Sequence, residues 1–334
     1  MATNREQAAG WTGVGSMPGT NVHEAVRIAV DECSELVFLP ELPGRGVTAG
    51  MIGRTAALLV GLGVDLQPAG WRLTDASGID HRRASSLLAE DLDALEEHTQ
   101  SYEGPLKVQV VGPWTLAAAV ERPRGDKVLG DHGARRELAE SLAEGLREHV
   151  GDVRRRTPDA EIVVQIDEPS LPAVLAGSIS TASGFHRHRT IDAPAADQAL
   201  RWVTDAVRDA GATPVAHVCA RDVPIALLAG AGFAACGFDL SYVESGVLDP
   251  WAEAFESGVD LWPGVIPTHE PDSPFSDADA VRRLEAFLSA LGFGPEQYAG
   301  RLTVTPTCGL AGASPSWAGR ALAASRKVAA GLAG

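Results

Sequence analysis

The stretches LKVQVVG (residues 106–112) and EIVVQID (161–167) are short, apolar nearly from end to end, and bounded by turn-forming residues. A strand with one face in water alternates apolar and polar residues, whereas a parallel strand covered by helices on both faces does not need to. Both stretches therefore read as buried parallel strands of an α/β fold. Six more segments of the same kind extend the pattern, so that eight strands are expected over 12–16, 36–41, 106–112, 161–167, 214–219, 233–239, 260–266 and 302–307. Helical sequence follows them. ARRELAESLAEGLREHV (134–150) places Leu138, Leu142 and Leu146 at four-residue spacing, and residues 197–211, 277–291 and 316–332 have similar amphipathic spacing, which reads as core packing. Eight strand and helix units in succession specify a (β/α)8 TIM barrel. The connection 42–105 is too long for one turn and must hold extra structure, including a helix over 84–100; part of a lid is one reading of it. With no internal repeat, low-complexity tract or shift in composition, a single barrel domain spanning 1–334 is the expectation.

Composition narrows the function. At 334 residues the chain has the length of an α/β barrel, and with 45% apolar and 22% charged residues it has material for a large core. A net charge of -16 argues against nucleic acid and anionic membrane surfaces, which demand basic protein faces, and favours a small-molecule partner. There is no apolar run of membrane-spanning length, and MATNREQAAGW at the start lacks the apolar segment of a signal peptide, so a cytoplasmic location is expected. Four cysteines (Cys33, Cys219, Cys236, Cys308) are too few for a disulfide scaffold and would remain free thiols in the cytosol.

The unusual polar residues are concentrated. Ser16, Glu41, Asp167, Glu168, His217, Cys219, Asp239, His269 and Cys308 all fall at or just beyond C-terminal ends of expected strands, where barrel enzymes carry their active sites. In His217-Val218-Cys219 the outer two side chains point the same way from a strand and can grip one ion. Taken alone, such a pair is equally a buried histidine beside an inert cysteine. Cys308, ending the final strand in TPTCGLAG, supplies a third donor at the same mouth, and thiolates with imidazole favour zinc. Asp239, closing GFDL, is the first candidate for a fourth ligand and Glu244 the second; the competing reading of Asp239 is a helix cap. The pair His186 and His188 has metal-like spacing but reads as exposed loop, because Arg187 and Arg189 would repel a cation.

GSMPGT (15–20), QIDEP (165–169), HVC (217–219) and TCGL (307–310), in this order, resemble the catalytic half of cobalamin-independent methionine synthase over nearly the whole chain. The resemblance implies a barrel, zinc, and transfer of a methyl group to homocysteine. It would make His217, Cys219 and Cys308 zinc ligands, with Asp239 nearest in register to the family's glutamate ligand and one methylene shorter. Ser16 would hold the amino-acid end of homocysteine, and Glu41 and Asp167 would read its ammonium, as charge-assisted hydrogen bonds from two carboxylates allow. Glu168 reads as a brace of the turn before Pro169. His269, in PGVIPTHEP, lies where the family has a histidine that helps protonate the leaving methyl carrier. Trp114, in GPWT, either stacks on a flat ligand such as a pterin or packs beneath the mouth.

Zinc coordination would deprotonate the substrate thiol, which then attacks a carrier-bound methyl group directly. The donor stays open among a methyl-folate, a corrinoid protein and another methylated small molecule. Competing readings are a uroporphyrinogen decarboxylase-like barrel, which would carry arginines and no zinc, a zinc- or thiol-binding protein without turnover, and a zinc hydrolase.

Overall fold

The computed structural model describes residues 9–244 and 246–332, and their strands and helices alternate as expected. The strands are β1 (Gly10–Trp11), β2 (Val37–Phe38), β3 (Gly63–Gln67), β4 (Gly70–Thr74), β5 (Pro105–Val111), β6 (Glu161–Asp167), β7 (Thr213–Val218), β8 (Ala235–Asp239), β9 (Asp260–Ile266) and β10 (Thr303–Pro306). Eight of them form one parallel sheet in the order β1-β10-β9-β8-β7-β6-β5-β2, curled into a (β/α)8 barrel. The two ends of this sheet meet through backbone rather than a full ladder. Glu41 N donates to Gly15 O (3.1 Å) and Met17 N to Glu41 O (2.8 Å), a parallel bridge between Ser16 and Glu41. The expected strand 12–16 is instead irregular backbone that follows the two-residue ladder β1, and of 36–41 only the two residues of β2 pair; irregular backbone carries both Ser16 and Glu41 to the mouth.

Side-chain caps start the outer helices. Asp131, Asp192, Ser276 and Ser314 each accept from a backbone N–H three residues on, opening helices His132–Arg156, Ala193–Asp209, Asp277–Ala290 and Pro315–Gly331. Their apolar stripes, Leu138, Leu142 and Leu146 among them, are fully buried against the sheet.

The connection after β2 differs in part from expectation. It holds the helix Ile79–Thr99, longer at its start than expected, and also the antiparallel hairpin β3–β4, which the sequence analysis did not anticipate. Arg45 and Arg54 both donate to the fully buried Asp91 of that helix, so ion pairs hold the parts of the excursion to one another, and Arg54 also approaches Glu41 at the barrel mouth. Among the described residues, no helix is long and apolar enough to cross a membrane.

Candidate active site at the barrel mouth

Strand register assembles the site. Asp167 on β6 is paired with His217 on β7, so their side chains emerge side by side and His217 Nδ1 lies 3.4 Å from Asp167 Oδ1. Cys219 follows the end of β7 on the same side. Cys308 arrives from the opposite edge of the barrel just after β10, whose register shifts between Thr305 and Pro306; such irregularities re-aim the side chains that follow. The donor atoms of His217, Cys219 and Cys308 lie within 4.8 Å of one another.

These three donors suit a metal in their protonation as well as their spacing. Burial, with Lys107 nearby, pushes His217 down to about 3, leaving the neutral imidazole that ligates metals. The Cys219 thiol donates toward Cys308, which brings Cys308 down to about 7 and raises Cys219, so the pair shares a proton that a cation would displace. Asp167 beside Nδ1 is the carboxylate–histidine contact that commonly fixes a ligand's tautomer.

The same mouth opens into a cavity of about 480 Å³ lined by Ser16, Glu41, Asp167, His217, Cys219 and Cys308, among others. Both carboxyls are buried, Glu41 at 5% and Asp167 at 8% exposure. Burial raises the Glu41 pKa, against Arg54 and Lys107; burial and then the Glu41 charge raise that of Asp167. Arg54 Nε approaches Glu41 Oε1 at 3.7 Å. Gly309 admits the Ser16 hydroxyl at the rim, since a Cβ at that glycine would sit 2.0 Å from Ser16 Oγ.

Other expected residues are placed differently. Asp239 is outside the donor set: its Oδ1 accepts from Ser241 N (2.8 Å) and Ser241 Oγ (2.7 Å), capping the short helix Leu240–Tyr242. This is the capping alternative, in which the carboxylate finds its hydrogen bonds locally. Its charge still raises the Cys308 pKa. Glu244 is exposed and likewise outside the set. His269 is exposed and lines a neighbouring hollow of about 450 Å³ together with Asp239 and Ser241, rather than the cavity itself. Trp114 is 2% exposed, donates from its indole N–H to Ala196 O (3.1 Å), and does not line the cavity, the packing alternative rather than the stacking one. His186 is exposed as expected, but His188 is buried with Nε2 3.2 Å from Asp126 Oδ1.

Glu168 braces the turn after β5, at the start of the helix Pro113–Ala119, rather than its own turn before Pro169. It accepts from Trp114 N (2.8 Å), Thr115 N (2.8 Å) and Thr115 Oγ (2.7 Å), and burial raises it to about 7. Gly112 leaves room for that carboxyl, which a Cβ would meet at 2.3 Å. Three buried polar groups escaped the sequence analysis: Lys107, Gln109 and Gln165 lie inside the barrel directly beneath Glu41 and Asp167. The visible signal was a lysine and two glutamines interrupting otherwise apolar strands.

The profile of the catalytic domain of cobalamin-independent synthases matches residues 94–331, more than half of the chain. The chain belongs to that family. Among solved structures, a B12-independent methionine synthase from Shewanella sp. W3-18-1, in complex with selenomethionine, superposes on this fold. Its TM-score is 0.65 at 13% identity, covering 97% of this chain and 98% of that one. A putative lyase/mutase from Burkholderia cenocepacia J2315 gives a TM-score of 0.38 at 12% identity, over 95% of this chain and 81% of that one. No curated protein sequence matches it. Family membership rests on the profile, and the synthase superposition adds the fold over the full length.

Proposed function

We propose that this single-domain protein is a zinc-dependent methyltransferase that forms methionine by moving a methyl group onto the thiol of homocysteine. The observation that carries the reading is the convergence of two sulfurs and a neutral imidazole in the same cavity as two buried carboxyls. His217, Cys219 and Cys308 would hold the zinc, which when bound supplies the Lewis acidity that keeps a coordinated thiol deprotonated at neutral pH. Asp167 and Glu41 receive the substrate ammonium, and Ser16 at the rim receives its carboxylate, so the thiol end is directed to the sulfur cluster. Asp239 would have to leave Ser241 to serve as a further ligand, a place that the substrate thiol would otherwise take. His269, in the adjacent hollow, stands where a departing methyl carrier can take a proton. A methyl-folate is the donor consistent with a synthase that works without cobalamin, and a corrinoid protein has no such support. A cytoplasmic location accords with biosynthetic chemistry on small molecules.

The residues lining the cavity include no arginine, which weighs against an acidic tetrapyrrole as substrate. Asp239 held as a cap favours a second reading, a thiol-binding barrel without turnover. The test measures zinc per chain and methionine formation from homocysteine with methyl-folates as donor, for the wild type and Cys308→Ala. The proposal expects bound zinc and turnover in the wild type, both lost in the variant. Zinc content and thiol methylation intact in Cys308→Ala would overturn it, and tight homocysteine binding with no product would select the second reading.

A further inference from the structure

Lys107 is a fully buried cation in the middle of a barrel strand, where such interiors are ordinarily filled by branched apolar residues. Its Nζ lies 2.8 Å from Val14 O, 2.8 Å from Gln165 Oε1 and 3.1 Å from Gln109 Oε1. Burial brings Lys107 down to about 7, against the Asp167 and Glu41 charges that raise it, and the three acceptors around the nitrogen suit the ammonium form with its three N–H donors. The Phe38 ring, 5.5 Å away, presents a further surface suited to a cation.

That ammonium fixes both glutamine amides. With its oxygen turned to Lys107, Gln165 must send Nε2 the other way, where it donates to Asp167 Oδ1 (2.8 Å) and Val14 O (2.9 Å). Gln109 likewise sends Nε2 to Leu39 O (2.7 Å), on the backbone that leads to Glu41. Flipping either amide would set NH2 against the ammonium and oxygen against oxygen. One cation thus orients the N–H donor beneath Asp167 and the one that holds the backbone leading to Glu41.

We infer that Lys107 is a positioning residue for ligand recognition, acting through Gln165 on Asp167, and through Gln109 on the backbone that leads to Glu41, to aim both carboxylates at a ligand ammonium. The inference rests on the homocysteine reading of the cavity. It predicts selectivity for thiols that carry an α-amino group, and selectivity is what its loss should remove.

The test uses the full chain loaded with zinc, with metal content measured for each variant. Calorimetry compares homocysteine with 4-mercaptobutyrate, which keeps the thiol and carboxylate but lacks the amine. Lys107→Met should weaken homocysteine roughly 10-fold or more, the effect of losing charge-assisted hydrogen bonds, while leaving zinc content and 4-mercaptobutyrate affinity unchanged. Gln165→Glu, which keeps a partner for Lys107 but removes the N–H under Asp167, should show the same selective loss if Lys107→Met does not fold. Equal weakening of both thiols, or of neither, with zinc retained would overturn the inference. Crystal structures of the variants without ligand decide it independently: the Asp167 carboxylate should turn from its wild-type position, and an unmoved carboxylate would refute the role. If wild-type protein binds neither thiol, the homocysteine reading fails, and those structures still report on Lys107.

Discussion

Gly309→Ala should separate folding from binding at the mouth. An added Cβ would lie 2.0 Å from Ser16 Oγ, while the next neighbours, Ser16 Cβ at 3.3 Å and Ser16 N at 3.7 Å, are tolerable. The clash is therefore with one rotatable hydroxyl, and a change of its χ1 rotamer relieves it at a cost of about 1 kcal/mol. Binding suffers more, because the displaced hydroxyl can no longer donate to the substrate carboxylate. A hydrogen bond to a charged group is worth about 1.5–3 kcal/mol, or roughly 10- to 100-fold in affinity. Homocysteine titration by calorimetry, paired with urea unfolding, should show that loss with little change in stability. Ser16→Ala should show the same loss, and the double variant should equal Ser16→Ala alone, since removing Oγ removes the clash. An additive double variant, or wild-type affinity in either single variant, would refute the reasoning.

Further predictions concern the frame of the site. Glu168→Gln replaces an oxygen that accepts from Thr115 N and Oγ, or the one facing Trp114 N, with an amino group, so a buried N–H loses its partner. Urea unfolding should show a loss of about 1–3 kcal/mol, and an unchanged midpoint would remove Glu168 as the brace. Trp114→Phe should cost about 1 kcal/mol through the bond to Ala196 O and leave ligand affinity alone; weakened donor binding at unchanged stability would restore the stacking role. Burial pushes His149 from an ordinary value near 6.5 down to about 4, so the unfolded chain binds its proton more readily. Its contribution is complete above pH 6.5 and is lost as pH falls toward 4, on the order of 2 kcal/mol between pH 7 and pH 5. His149→Gln should therefore be less acid-sensitive than wild type in unfolding measurements, and equal sensitivity would exclude this residue as a cause.

The later strands were legible because uninterrupted apolar runs between turns leave few alternatives. Residues 161–167 and 260–266 form β6 and β9 as expected, and β5, β7, β8 and β10 differ at their ends by one or two residues. The first was placed just past its ladder and the second was overextended, since after Trp11 and Phe38 the chain leaves the ladder to place Ser16 and Glu41 at the closing bridge. The hairpin β3–β4 left a readable trace, with Val64 and Leu66 alternating against Trp71 and Leu73 around Pro68-Ala69-Gly70. The helical expectation for that connection obscured it. His217, Cys219 and Cys308 were legible because their chemistry is unusual and their positions at strand ends are regular. Arg54 and Asp91 could not be read: they meet across the fold with no spacing that sequence preserves. Asp239 shows the limit of register alone, because register placed it at the mouth while a local hydrogen bond to Ser241 decided where its carboxylate went.

The central claim is that the mouth activates a thiol on zinc, and zinc-edge X-ray absorption on purified, metal-analysed protein tests it most directly. The expected result is one zinc per chain with two sulfur ligands, from Cys219 and Cys308, rising to three when homocysteine is added. No zinc, or a sulfur count that homocysteine does not change, would contradict it.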